Sequence, residues 1–232
     1  RSLIMSRLTL IILTICFFLS LPEYLLAKNL GSWLEKAQTL EKDGFWDEAA
    51  EAYEKLTKTN SNAKLVIYAR LKLGTTYLKL GQFQRSIDTS KLTVKFHPEN
   101  FDAHFHLANS LSAIGKFSRA AEAYKKTTAL KPEEGLGYVG HGLSLFGNRN
   151  SQKAIKELLK ANKLFKNKRN ISWYRDTRVM IAQIKHFEKF PPNFSDLWLN
   201  NTLKLVRDTY EKSVFNSKHY LQRPLPKKKF SP

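Results

Sequence analysis

Between residues 30 and 168 the apolar positions fall at helical spacing in short runs, each leaving one stripe that a lone helix cannot bury. The runs themselves recur. The block GKFSRAAEAYKKTTALKP, Gly115 to Pro132, repeats GQFQRSIDTSKLTVKFHP, Gly81 to Pro98, at a spacing of 34 residues. A unit of that length with small and aromatic residues at fixed offsets predicts two short antiparallel helices, and neighbouring units must stack to bury both stripes. Function in such a chain lies on a surface rather than in a pocket.

The register divides the middle of the chain into units 30–63, 67–100, 101–134 and 135–168. The second carries Gly74, Tyr77, Gly81, Phe83 and Pro98, and the third carries Ala108, Gly115, Phe117, Ala120, Tyr124 and Pro132. Small residues such as Gly74 and Ala120 let helices approach closely, and the glycine between helices turns the chain. Aromatic residues fill the space between units, and proline stops the second helix. These units resemble the tetratricopeptide repeat. The resemblance implies an all-α fold, a right-handed α-solenoid of about four helix-turn-helix repeats with C-terminal capping helices. Each repeat helix is expected to run about ten to sixteen residues.

Two units depart from the pattern. In the first, Gly44 to Leu56 matches a second helix, with Trp33 and Ala37 in the helix before it, but the spacing to the next unit is 37 residues. That predicts a longer turn around Asn60 to Lys64, where Ser61 stands in place of proline. The fourth unit keeps Gly142, Ala154 and Ala161, while Arg149 replaces the turn glycine, Leu158 stands where Tyr53 and Tyr124 sit, and Lys166 replaces proline.

Residues 171–215 are expected to cap the array. Trp173, Thr177, Met180, Ile184 and Phe187 form one stripe, Pro191 and Pro192 end it, and Ser195 is placed as the N-cap of a last helix through Leu197, Leu199, Leu203, Val206 and Tyr210. The tail 221–232 has proline and lysine but no stripe to bury, and reads as disordered.

At the other end, Leu8 to Leu21 is an uncharged apolar run of 14 residues after Arg7. A bilayer span needs about 20 such residues and a secretory core about 7 to 15. Residues 1–27 therefore read as a signal peptide cut after Ala27, with a membrane anchor as the other reading. The chain is expected to be exported, whether periplasmic or secreted, or held as a single-pass membrane protein through this segment. Its only cysteine, Cys16, lies inside the run, so a processed chain would have no disulfide.

Charge adds a second idea about partners. The chain has 39 lysines and arginines against 20 acids, a formal charge of +19. The first repeat holds seven acids and four bases, whereas Arg149 to Pro232 holds twenty bases and six acids. A rod with that asymmetry presents its C-terminal end, sharpened by Lys227, Lys228 and Lys229, to an anionic membrane surface or polymer. The same lysines also serve solubility alone. No nucleic-acid motif and no exposed interleaved aromatics accompany them, which argues against nucleic acid as the partner.

In the family the sequence resembles, the first helix of each unit lines a concave face, at its second, fifth, ninth and twelfth positions. Carried over, these give Leu34, Gln38 and Glu41; Tyr68, Leu71, Thr75 and Leu78; Asp102, Phe105, Asn109 and Ser112; Leu136, Val139, Leu143 and Phe146. The wall is apolar at both flanks and polar near Asn109, which suits an extended peptide or amphipathic helix from another protein. The cationic and polar set with which some members clamp a C-terminal carboxylate is missing, since Leu34 and Leu71 stand there. Leu136, Val139 and Phe146 have an alternative role as the seat of the chain's own last helix.

Chemistry finds little footing. His97, His104, His106, His141, His186 and His219 show no metal or triad spacing, and His104 and His106, two apart, point about 200° from each other on a helix. Packing is the expected role of His104. No phosphate loop or nucleophile elbow is present, so no catalytic residue, cofactor or metal is assigned. The expectation is a non-catalytic scaffold that binds another polypeptide and helps a complex assemble.

Overall fold

The computed structural model describes residues 31–59, 63–216 and 220, and among these the regular structure is helical throughout. Four hairpins come first: α1 (31–43) with α2 (Trp46–Thr57), α3 (Ala63–Lys79) with α4 (Phe83–Phe96), α5 (Phe101–Ala113) with α6 (Phe117–Leu130), and α7 (Gly135–Gly147) with α8 (Ser151–Asn167). Then come α9 (Ile171–His186), a 3-10 turn (Phe187–Lys189) and α10 (Pro192–Asn216). From α2 to α9 each helix packs on its neighbours in sequence, which is the connectivity of a solenoid.

One turn geometry joins the two helices of every hairpin. After α5 the Gly115 amide donates to Ser112 O at 3.0 Å and the Lys116 amide to Leu111 O at 3.0 Å, with Gly115 at φ 71°. Such a cap consumes carbonyls that the helix end would leave unpaired, and it needs one left-handed residue. Gly44 (φ 84°) and Gly81 (φ 70°) fill the same place. The fourth hairpin makes the turn with Arg149 at φ 61°, its amide donating to Phe146 O and the Asn150 amide to Leu145 O, both at 2.9 Å. The α8–α9 junction repeats it with Arg169 at φ 55°. Thus α9 folds back on α8 as a second helix folds on a first. Asn100, Asn150 and Asn170 start α5, α8 and α9 by accepting the amides of Ala103, Lys153 and Trp173.

Helices meet at small residues. A Cβ on Gly74 would lie 2.5 Å from His106 Cε1, and one on Gly140 would lie 2.3 Å from Tyr124 Cε1, so α5 and α6 project a ring into the backbone of a neighbouring first helix. Tyr53 and Tyr124, both fully buried, fill equivalent spaces, and Leu158, also fully buried, takes their place in the fourth unit.

Three expectations need correction. The additional length between the first two units does not all go into a turn, because α3 begins at Ala63 and runs 17 residues against 13 in α5 and α7; residues 60–62 lie outside the described residues. α8 also reaches 17 residues. And α10 begins at Pro192, so Ser195 lies inside it rather than capping it. Proline's fixed φ is preorganised for a first helical turn, where its missing amide costs nothing. The leader 1–27, with Cys16, and the tail 221–232, with Lys227, Lys228 and Lys229, lie outside the described residues.

Candidate functional site: an inner wall holding its own helix

α10 breaks the nearest-neighbour rule. It runs back along the array and packs on α7 and α5, the first helices of the fourth and third units. Its buried side chains Leu199, Leu203, Val206, Tyr210 and Val214 follow spacings of four, three, four and four, which is one stripe of a helix. That stripe meets the residues assigned to the concave wall.

At the C-terminal end of the wall, Phe146 meets Trp198 edge-on at 5.8 Å and Phe187 at 4.9 Å. The assignment of Phe146 as a seat for the capping region is realised there. In the middle, the Phe105 ring is fully buried, stacked on Tyr210 at 3.7 Å and edge-on to Tyr124 at 5.3 Å. Burying an aromatic ring contributes about 1.5 to 3 kcal/mol, and such ring pairs add about 0.5 to 1.5. Toward the N-terminal end, Tyr68 packs edge-on against Phe215 at 5.8 Å and lies 6.4 Å from the Tyr220 ring.

Polar groups fix the register. Asp102, on the first turn of α5, accepts the hydroxyl protons of both Tyr210 and Tyr220. Burial and this carboxylate raise both phenols well above the usual tyrosine range, so they stay protonated donors. One residue further along α10, Glu211 Oε1 lies 3.2 Å from Thr75 Oγ1, which in turn lies 3.1 Å from His106 Nε2. Ser90 Oγ lies 2.8 Å from His106 Nδ1. Burial pushes His106 down to about 4, helped by Arg207, and pushes Glu211 up to about 7. A neutral imidazole and an acid of neutral pKa therefore share one threonine.

Of the assigned wall residues, Tyr68, Leu71, Thr75, Phe105, Asn109, Val139, Leu143 and Phe146 are buried, while Leu34, Gln38 and Leu78 in the first two units are half-buried. Gln38 Nε2 donates to Tyr68 Oη at 3.1 Å, tying the first unit to the second. Asn109 accepts from Tyr124 Oη at 2.6 Å, and its Nδ2 has no hydrogen-bond partner. The structure also separates the two histidines of α5: His104 Nε2 lies 2.7 Å from Pro98 O, a local packing role, whereas His106 joins the network under α10. Asp102 and His106 stand one turn apart on α5. Each bonds partners on other segments, a relation that no local spacing encodes.

These features define the chain as an α-helical repeat scaffold of stacked hairpins with an internally occupied concave wall. Its family is explicit: a tetratricopeptide repeat model matches residues 34–89, 71–134 and 105–163, more than half of the chain, and the chain belongs to the tetratricopeptide repeat family. Among solved structures, it is similar to MamA, with a TM-score of 0.54 at 24% identity over 61% of this chain and 76% of that one. MamA 41-end from Desulfovibrio magneticus RS-1 gives 0.57 at 17% identity over 78% and 96%. YrrB, a TPR protein with an unusual peptide-binding site, gives 0.50 at 18% identity over 58% and 68%. Among curated proteins it is 26% identical over 114 residues to the CTR9 homolog of Arabidopsis thaliana, which is 49% of this chain and 10% of that protein. It is 28% identical over 106 residues to the small glutamine-rich tetratricopeptide repeat-containing protein 2 of Mycosarcoma maydis, 43% of this chain and 29% of that protein. The chain thus spans a tenth and under a third of the lengths of these relatives. The fold is that of a protein-interaction scaffold, a type for which catalysis is not typical. Among the described residues no helix is long and apolar enough to cross a membrane.

Proposed function

We propose that this chain is an exported or membrane-held adaptor whose concave wall takes an amphipathic helix or peptide of another protein and so helps a complex assemble. One observation carries the reading: the wall has the curvature, the apolar seats and the polar anchors to hold a helix, because α10 is held there. Helix-in-groove recognition uses side chains at helical spacing, as Leu199, Leu203, Val206 and Tyr210 are spaced. Peptide binding by YrrB, on the same fold, is consistent with this use. Export or anchoring rests on the apolar run Leu8 to Leu21.

Photo-crosslinking side chains at Gln38 and Leu78, half-buried positions of the wall, test the reading in the native cell. The expected product is one foreign polypeptide, crosslinked through a segment with a helical apolar stripe. Crosslinks confined to positions on the outer helices α4 and α6 would move the partner off the wall and end the proposal.

The charge asymmetry favours a second reading, attachment of the basic C-terminal end to an anionic membrane or polymer. Deleting Leu221 to Pro232 is then expected to weaken attachment to anionic vesicles and to flatten its salt dependence. Equal attachment with and without the tail, at any salt, removes this reading.

A further inference from the structure

We propose that α10 is a reversible occupant of the wall, holding the place of a foreign helix that presents the same face: aliphatic residues spaced as Leu199, Leu203 and Val206, then a tyrosine followed by a carboxyl, as in Tyr210 and Glu211. The inference rests on the wall being a binding surface, and it names both what binds and what must first leave.

Three observations support reversibility. First, α10 sits on α5 and α7 instead of on a sequence neighbour, tethered through the short segment 187–191, so it can leave without unstacking any hairpin. Second, two carboxyl groups lie within its contact with the wall. Asp102, 8% exposed, and Glu211, 9% exposed, are carboxyl groups brought out of water by the docking of this one helix. Buried acids of this kind fix register more than they add stability, since their desolvation offsets what their bonds return. Third, a polar group on the wall is left unsatisfied: Asn109 Nδ2, one turn after Phe105, has no hydrogen-bond partner. A permanent cap would be expected to satisfy it, because a buried orphan weakens the closed state.

The same contacts specify the partner. Asp102 wants hydroxyl donors at the point where Tyr210 arrives, Phe105 offers a flat ring face there, and Thr75 with His106 receives a carboxyl one residue later. A helix ending in an aliphatic stripe followed by Tyr-Glu or Tyr-Asp matches this order.

A synthetic peptide of residues 192–220 is the probe, labelled for fluorescence anisotropy and added to the full chain. Wild type should bind it weakly, because its own α10 competes at high effective concentration. Tyr210→Ala in the chain, with the peptide unchanged, should tighten binding by about tenfold or more, as the internal competitor is impaired and the wall is not. Equal or weaker binding by the variant overturns the proposal. Hydrogen exchange on the wild-type chain provides a measurement independent of any variant. The amides of α10 should exchange through an opening that leaves α5 and α7 protected. Exchange of α10 only together with α5 and α7 makes it a fixed structural element, and the inference fails. Dimers that trade α10 between chains, seen by size-exclusion light scattering, would make a second copy the occupant and would also overturn it. If α10 opens and the peptide binds while cell crosslinking at Gln38 and Leu78 yields no foreign protein, the adaptor reading fails, the foreign occupant fails with it, and only the reversible docking of α10 stands.

Discussion

Arg149 and Arg169 hold left-handed backbone angles that a side chain disfavours by about 1–2 kcal/mol, yet each closes a hairpin with the hydrogen bonds that Gly44, Gly81 and Gly115 make elsewhere. The turn is set by its neighbours, and the strain is tolerated because stacking on both sides over-determines it. Arg149→Gly should therefore stabilise the chain by about 0.5 to 1 kcal/mol, the relief of strain being partly offset by the freedom glycine gains in the unfolded state. A rise in the urea midpoint with unchanged slope would show it, and a fall would mean that the arginine side chain makes a contact worth more than the strain. The register of these turns was legible in the sequence, since Gly81, Gly115 and Arg149 lie 34 apart. That arginine could substitute for glycine without altering the geometry was not, because a residue's name carries no record of how firmly its neighbours hold the backbone.

The helix is the scale at which α10 and the wall must be judged. Sequence assigned Tyr68, Leu71, Thr75, Phe105 and Asn109 to the inward side; all five are buried, and Tyr68, Thr75 and Phe105 meet α10. It also found the apolar stripe of α10 from Leu199 to Tyr210. Periodicity says only that a helix has a face to bury, and it cannot say which of several apolar surfaces, a hundred residues away, receives it. The contacts that decide this, Tyr210 with Asp102 and Glu211 with Thr75, join positions 108 and 136 residues apart. Docking this helix also couples it to protons. Glu211 is pushed up to about 7 by burial, which outweighs the downward pull of Arg207, Lys79 and the Thr75 hydroxyl, while Asp208 pushes it further up. His106 faces it through Thr75, and burial holds that ring at about 4, hence neutral over the same range. A freed Glu211 titrates near an ordinary glutamate value, so the docked form alone keeps its proton between about pH 4.5 and 7. Docking is thus strongest below about 4.5 and is weakened as pH rises through 7, by about 1 to 3 kcal/mol in all. Wild type should lose melting temperature relative to Glu211→Gln between pH 5 and 8, and parallel curves for the two proteins would contradict the coupling.

A solenoid of hairpins is a one-dimensional object, in which each unit knows only its neighbours and the ends can fray without the middle. Here α10 ties α3, α5 and α7 together from one side, through Thr75, Asp102 with Phe105, and Phe146, so that the second, third and fourth units share a common strut. The strut turns a chain of local contacts into one closed by long-range contacts, and closure raises cooperativity because no unit under it can open without breaking contacts with the others. The first unit stands largely outside this arrangement, joined to the second by the packing of α2 on α3, the Gln38–Tyr68 hydrogen bond and the Lys72–Glu41 ion pair at 2.7 Å. In urea the wild-type chain should therefore show a main transition for the second to fourth units, with the first unit melting at or before it. Trp198→Ala combined with Tyr210→Ala removes both ends of the strut, each truncation in the range of about 3–5 kcal/mol for a buried aromatic at most. The main transition should then broaden and split, with α3 and α4 losing hydrogen-exchange protection before α7 and α8, which remain backed by α9. If the double variant unfolds in a single transition as steep as that of wild type, with every unit exchanging together, the strut contributes only stability, and the hairpins are cooperative through their own stacking.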